Sequence, residues 1–196
     1  MRYYKVNQPN TVSEIKKNIE CGNHTGFHVM VERPVVWVHK EKQVDADICK
    51  AMGYEVNEAY YNGGTIVCNK GDMAFAHFGE IANGWMMRFV NYFIDWLKAK
   101  GLNAEYVSND IVVDGYKVCG MCTTRYGRID YTAGFIGVDV NLDHIKAICR
   151  KPMKKVPKGL SEYGITTEEV EQMFLDFCEQ DEKAEYKLKG GTAHGH

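Results

Sequence analysis

The stretch that most constrains this chain runs from Asn109 to Gly120 and reads Asn-Asp-Ile-Val-Val-Asp-Gly-Tyr-Lys-Val-Cys-Gly. Asp114-Gly115 between two apolar runs predicts a two-residue hairpin with a type I′ turn, because both turn positions need positive φ. The register follows by counting: Val113 faces Tyr116, Val112 faces Lys117, and Asp110 faces Cys119. Side chains alternate along a strand, so Asp110, Val112, Lys117 and Cys119 are expected on one face. Asp110 and Lys117 are then diagonal neighbours, about 7–8 Å apart at the backbone, a gap a lysine can span. A carboxylate and an ammonium on a rigid ribbon can hold a metal ion and a phosphate. The same pair is also what an ordinary surface salt bridge looks like.

At 196 residues the chain fits one domain, residues 1–180, followed by a polar flexible tail over 181–196. Its formal charge of −2 argues against a nucleic-acid binder working by bulk electrostatics. No apolar run reaches the roughly 18 residues of a membrane span, and Met1-Arg2-Tyr3-Tyr4-Lys5 opens no secretory signal. Seven cysteines without a regular framework suit a reducing cytoplasm.

Along the chain, Thr11 and Glu14 form a capping-box pattern ahead of Val12, Ile15 and Ile19, with Gly22 as the stop. His28–Glu32 and Val35–Val38 read as strands around Arg33-Pro34. A short helix is expected over Val44–Met52, with Val44 and Ile48 on its buried face. Tyr54–Val56 and Met73–Phe78 read as strands, and Asn62-Gly63 between Ala59–Tyr61 and Thr65–Val67 suits a hairpin turn. The strongest periodicity lies in Met86, Phe89, Val90, Phe93, Ile94 and Leu97, a core-facing helix ended by Gly101. Thr132–Val140 supplies a strand and Asn141–Cys149 a short helix carrying Leu142, Ile145 and Ile148. Thr166 and Glu169 open a last helix that buries Val170, Met173, Phe174 and Phe177. Strands grouped around one long helix, mostly joined by hairpins, predict an α+β domain with a mixed β-sheet packed by helices.

Asn109-Asp110, Val113-Asp114-Gly115, Lys117-Val118 and Gly120 resemble the central motif of the lipoate–protein ligases. That motif reads Asn-Asp, an apolar strand, Asp-Gly, one residue, Lys, an aliphatic residue, Ser and Gly. Arg2-Tyr3-Tyr4, Glu32–Val36, Gly63-Gly64 and Val138–Leu142 follow the family's order, so the resemblance spans about residues 1–178. It implies the catalytic-domain fold shared by biotin and lipoate ligases. It also implies ATP and Mg²⁺ as cofactors, lipoate or a similar medium-chain acid as substrate, and a lipoyl carrier domain whose lysine receives the acyl group. A separate accessory domain is a further implied partner. Lys117 would be the catalytic residue at the acyl-adenylate phosphate, and Asp110 would help hold Mg²⁺. Asn62, Gly63, Gly64, Asn109, Gly120 and Gly134 would line the adenylate site.

The chain departs from that family in identifiable places. Tyr60 and Tyr61 stand where an arginine pair is usual, Asn69-Lys70 where a His-Asp is usual, and Thr132-Ala133-Gly134 lacks the usual histidine. Those substitutions keep open a second reading, a non-catalytic relative that binds an acyl ligand or a partner protein. Cys119-x-x-Cys122 follows a hairpin strand, not a helix N-terminus, so redox or zinc chemistry is not expected; Cys119 is expected to line the pocket. Cys149 is expected beside a buried helix face, and His144 in solvent. Lys151, Lys154, Lys155 and Lys158, with Pro152 and Pro157, make a basic loop that is either a solvated connection or a surface steering an acidic partner.

Overall fold

The computed structural model describes residues 2–39, 43–59, 64–80 and 84–190. Among these residues ten strands divide between two sheets: β1 (Arg2–Lys5), β2 (Thr25–Met30), β3 (Val35–Val38), β4 (Glu55–Glu58), β5 (Ile66–Cys68), β6 (Met73–Glu80), β7 (Ala104–Val107), β8 (Asp110–Val113), β9 (Tyr116–Tyr126) and β10 (Ile129–Ile136). The larger sheet has the order β1-β2-β6-β10-β9-β8-β7, and the smaller the order β4-β3-β5. β1 runs parallel to β2 while the other pairs of the large sheet are antiparallel, so the sheet is mixed, as expected.

Among the described residues five α-helices pack these sheets: α1 (Thr11–Cys21), α2 (Ala46–Ala51), α3 (Trp85–Ala99), α4 (Leu142–Ile148) and α5 (Thr167–Gly190). The stripe of α3 buries Phe89, Val90, Phe93 and Leu97, with Trp85 completing it, against Met73, Phe75, Ile111, Val113 and Ile136 of the large sheet. Phe174 and Phe177 of α5 enter the same cluster. The opposite face carries Phe27, Val29, Phe78 and Tyr131 and meets Ile15 of α1 and Val35 and Trp37 of the small sheet. A third cluster places Val36 and Val38 against Cys49 of α2 and Ile145 and Ile148 of α4. The small sheet is therefore covered on both faces, which accounts for the unbroken apolar run Val35–Val38.

Four local expectations change. The capping box at Thr11 does not form: a 3₁₀ turn over Gln8–Asn10 runs straight into the helix, so Thr11 is already helical and its hydroxyl donates to the Gln8 carbonyl at 2.8 Å. Glu14 instead accepts from the Tyr4 hydroxyl at 3.0 Å. In α2 the buried residue is Cys49 and Ile48 is exposed, because the helix starts only at Ala46 and Val44 lies ahead of it in a bridge to Cys149. β4 and β5 lie on opposite sides of β3, so the strands before and after Asn62-Gly63 do not pair with each other as a hairpin would require. Finally, α5 continues without a break to Gly190, and Asp181 is buried in it, accepting from Arg88 Nε at 2.6 Å and from the Tyr3 hydroxyl at 3.2 Å. The stretch expected as tail is thus helical for its first ten residues. The second capping box does form, with Thr166 N–H donating to the Glu169 carboxylate at 2.9 Å and Glu169 N–H to the Thr166 hydroxyl at 3.3 Å.

Candidate functional site

The central ribbon is held by two left-handed turns. Asp114 and Gly115 have φ of 50° and 83°, as the type I′ turn demands, and Ser108 and Asn109 repeat the device with 52° and 67° between β7 and β8. Asn109 is thus a turn residue; its side-chain oxygen accepts from the Tyr106 hydroxyl at 2.9 Å and its backbone carbonyl from Met121 N–H at 2.9 Å. Val113 faces Tyr116 and Val112 faces Lys117 as counted, but a bulge between Ile111 and Val112 shifts the rest. Asp110 therefore faces Gly120, and Cys119 faces Ile111. The extra residue turns Cys119 into the α3 core, fully buried, so it does not line the pocket; burial pushes its thiol far up.

The bulge leaves Asp110 and Lys117 together. Lys117 Nζ lies 2.8 Å from Asp110 Oδ1 and 5.1 Å from the centre of the Phe135 ring. Its side chain crosses residue 120: a Cβ there would fall 2.6 Å from Nζ and 2.9 Å from Phe135, so only glycine leaves the path open. Lys155 Nζ sits 2.7 Å from the other oxygen, Asp110 Oδ2, and also donates to the Val107 carbonyl. Asp110 is clamped between two ammonium groups.

The segment after α4 builds the rest. Lys117 N–H donates to the Val156 carbonyl at 2.9 Å, and Lys158 N–H donates to the Lys117 carbonyl at 3.0 Å. Residues 156–158 thus add a short parallel bridge alongside Lys117, with Pro157, which has no N–H, at the position that needs none. This docking encloses a pocket of about 380 Å³ lined by Gln43, Gly64, Thr65, Asp110, Lys117, Cys149, Lys151, Met153, Lys154 and Lys155. Four lysines against one carboxylate make it strongly cationic. Lys158 turns away, over the Tyr116 and Tyr163 rings and toward Glu162 at 3.8 Å.

Of the expected site residues, Lys117, Asp110 and Gly64 meet in this pocket, Gly120 lies under the Lys117 side chain, and Asn62 and Gly63 fall outside the described residues. Gly134 gives backbone to a second, apolar slot, while its missing side chain faces the other way: a Cβ there would lie 2.2 Å from Phe75 Cζ. Cys149 is half-buried in the cationic pocket, not confined to a core face, and burial raises its thiol. His144 is half-buried too, its Nδ1 3.1 Å from the Tyr54 hydroxyl. Cys122, on β9 beyond Gly120, is pushed up to about 11 by burial, opposed by Lys117 among other groups.

The slot is lined by Ile15, Phe27, Val29, Trp37, Ile66, Tyr131 and Ala133, with polar groups from Thr11, Glu58, the Tyr131 hydroxyl and the Trp37 indole. Small residues in the sheet, Ala74, Ala76 and Ala133, leave its floor open, and its cavity volume is about 30 Å³, room for one or two waters. Gly64-Thr65 of the cationic pocket lead directly into Ile66 of the slot, and Ala133-Gly134 of the slot lead into Phe135 beneath Lys117. A cationic pocket therefore adjoins an apolar slot. The slot-forming residues carried no motif: Ile15 fell on an expected helix and Val29, Trp37, Ile66 and Ala133 in expected strands, with nothing in their pattern to set them apart as a pocket.

The donor set suits phosphate better than a divalent metal. Lysine ammonium groups match phosphate oxygens as point charges. Both oxygens of Asp110 are held by lysines, and the described residues contain no group of three His, Cys, Asp or Glu able to ligate a metal. Asp110 as placed does not make a Mg²⁺ site by itself, and no helix among the described residues is long and apolar enough to cross a membrane.

The sequence matches the lipoyl protein ligase A/B catalytic domain over residues 15–179. A bipartite lipoate protein ligase of Thermoplasma acidophilum, described with its E2 lipoyl domain, shares 17% identity over 90% of this chain and 81% of its own, with a TM-score of 0.75. A lipoate protein ligase of that organism with bound lipoic acid gives 17%, 90%, 83% and 0.73. A biotin protein ligase of Aquifex aeolicus in complex with biotin and ATP gives 13%, 93%, 69% and 0.52. Comparison with curated protein sequences finds no match.

Proposed function

Because this chain belongs to the lipoyl protein ligase A/B catalytic-domain family, we propose that it activates lipoate or a similar medium-chain acid as an acyl-adenylate and transfers the acyl group to a carrier-domain lysine. The observation that carries this reading is the apolar slot opening beside a four-lysine pocket, which suits a chain with an anionic end. The acid's carboxylate would attack the α-phosphate of ATP, releasing pyrophosphate; the carrier's amine would then take the acyl carbon and release AMP. Lys117 would hold the α-phosphate and the oxyanion that develops on the acyl carbon, where a fixed cation in a partly dry site acts most strongly. Lys151, Lys154 and Lys155 would neutralise the phosphates. Asp110 fixes Lys117 and Lys155 and so orients the cations; Gly64 would bring backbone close to the adenylate. Mg²⁺ would arrive with the nucleotide, and no step depends on a protein ligand for it. The relatives with a lipoyl domain, lipoic acid, and biotin with ATP support the partner, acid and nucleotide classes.

Calorimetric titration with a non-hydrolysable lipoyl-adenylate analogue tests the reading. Wild type is expected to bind, and Lys117→Ala to lose about 2 kcal/mol, roughly thirtyfold. Absence of binding to wild type overturns it.

The position of Cys149 in the same pocket favours one alternative. An acyl thioester donor would pass its acyl group to Cys149 Sγ, releasing the donor thiol, and the carrier lysine would then take it with no ATP. Intact mass after incubation with octanoyl-thioester distinguishes the two routes: an acyl adduct absent in Cys149→Ser supports the thioester route, and its absence in wild type removes it.

A further inference from the structure

A wall residue of the slot carries an unanswered donor. Trp37 stands on β3 opposite Ile66 and is 5% exposed, and its indole Nε1–H is buried without a hydrogen-bond partner among the described residues. Indole nitrogen only donates, so no flip or change of tautomer relieves it. Such a group is rare in a native interior, since leaving it unmade is destabilising. None of its neighbours in the slot answers it: Phe27, Val29, Ile66, Ala74 and Ala133 have no polar side-chain atom, and the side-chain oxygens of Thr11, Glu58 and Tyr131 do not bond it. With a cavity of only about 30 Å³, an entering acid must displace walls, and Trp37 is the largest of them.

We propose that the slot selects a carboxylic acid whose chain carries a hydrogen-bond acceptor, a keto or ureido carbonyl oxygen, received by the Trp37 indole N–H in preference to a plain hydrocarbon chain. The inference rests on the reading of this slot as the acyl site. The donor is already stripped of water, so only the acceptor's own desolvation opposes the bond, whereas a hydrocarbon tail leaves the donor unanswered. A site built to hydrogen-bond a substrate discriminates far more sharply than one that only adds a methylene.

Titration calorimetry on the full chain and on Trp37→Phe tests this, with octanoate, 7-oxo-octanoate, biotin and lipoate as probes. In wild type, 7-oxo-octanoate or biotin is expected to bind at least about tenfold tighter than octanoate. In Trp37→Phe, which keeps an aromatic wall and deletes the donor, the ratio of acceptor-acid to octanoate affinity is expected to fall to about one, whatever happens to octanoate affinity itself. The keto acid and biotin separate the two sources of the acceptor. An unaltered preference in the variant, or octanoate binding as tightly as both acceptors to wild type, overturns the inference and leaves the acyl slot standing. Absence of binding by every acid overturns both. In ¹⁵N-indole spectra of wild type, a downfield shift of one tryptophan N–H with the acceptor acid and not with octanoate is the same test without a variant, and no shift overturns it.

Discussion

Lys117 reaches Asp110 only because residue 120 has no side chain, and that makes two glycines of the chain separable by experiment. In Gly120→Ala the new methyl meets the end of a flexible lysine and the edge of Phe135, which is half-buried. Stability is expected to change by less than about 1 kcal/mol, while affinity for an adenylate analogue falls severalfold as the ammonium leaves its place. In Gly134→Ala the methyl meets Phe75, whose ring packs against Phe89 at 4.9 Å, Phe174 at 5.4 Å and Trp85 at 6.0 Å. Nothing there can yield cheaply, so about 1–3 kcal/mol of stability is lost. Urea unfolding and titration of both variants check the contrast; equal losses of stability would contradict it.

At the scale of elements, the candidate site depends on where α4 and the following lysine loop are held. Asp72, buried in the turn between β5 and β6, accepts from Val138 N–H at 2.6 Å and Asp139 N–H at 3.0 Å with one oxygen, and from Asn69 N–H at 2.7 Å with the other. Burial pushes its carboxyl up to about 7 against the pull of those three donors. The same turn reaches α4 through Asn69, which accepts from Tyr54, whose hydroxyl meets His144. Asp72→Asn exchanges an acceptor oxygen for an amide that must face a backbone N–H. The expected result is a loss of about 1–3 kcal/mol in chemical unfolding and weaker adenylate binding, although residue 72 lines neither pocket. Unchanged binding would show that α4 is placed without it.

For the whole molecule, the junction of α3, α5 and the large sheet sets acid sensitivity. His77 lies buried and stacked on Trp85 at 4.4 Å, and burial, with Arg88 adding to it, lowers its pKa to about 3. The unfolded chain takes up a proton near pH 6.5 and the folded one does not until far lower, so stability is full above about 6.5 and is lost as pH falls toward 3. At pH 5 this amounts to about 2 kcal/mol. His77→Phe should remove this loss, so that unfolding free energy falls by about 2 kcal/mol less between pH 7 and 5 than in wild type, with His28, whose pKa burial lowers, still acting in the same direction and Asp72, whose carboxyl burial raises, acting against it in both proteins. A slope identical to wild type would assign the acid loss elsewhere.

Much of this protein was legible because its cause is local. Asp114-Gly115 needs only its own backbone preference to turn, the α3 stripe only its 3.6-residue period, and Thr166 with Glu169 only each other. The closeness of Lys117 and Asp110 followed from strand geometry even though a bulge altered the register around them. Tertiary contacts decided the rest. No spacing shows that residues 156–158 will dock on the Lys117 backbone, because those hydrogen bonds join segments some forty residues apart and are chosen by what is left unpaired beyond the end of β10. The same holds for Cys149 facing the lysines, for Asp181 turning a polar helix end inward, and for Trp37 closing the slot. Burial belongs to a place in the fold, and a polar atom's partner is fixed only once that place is filled.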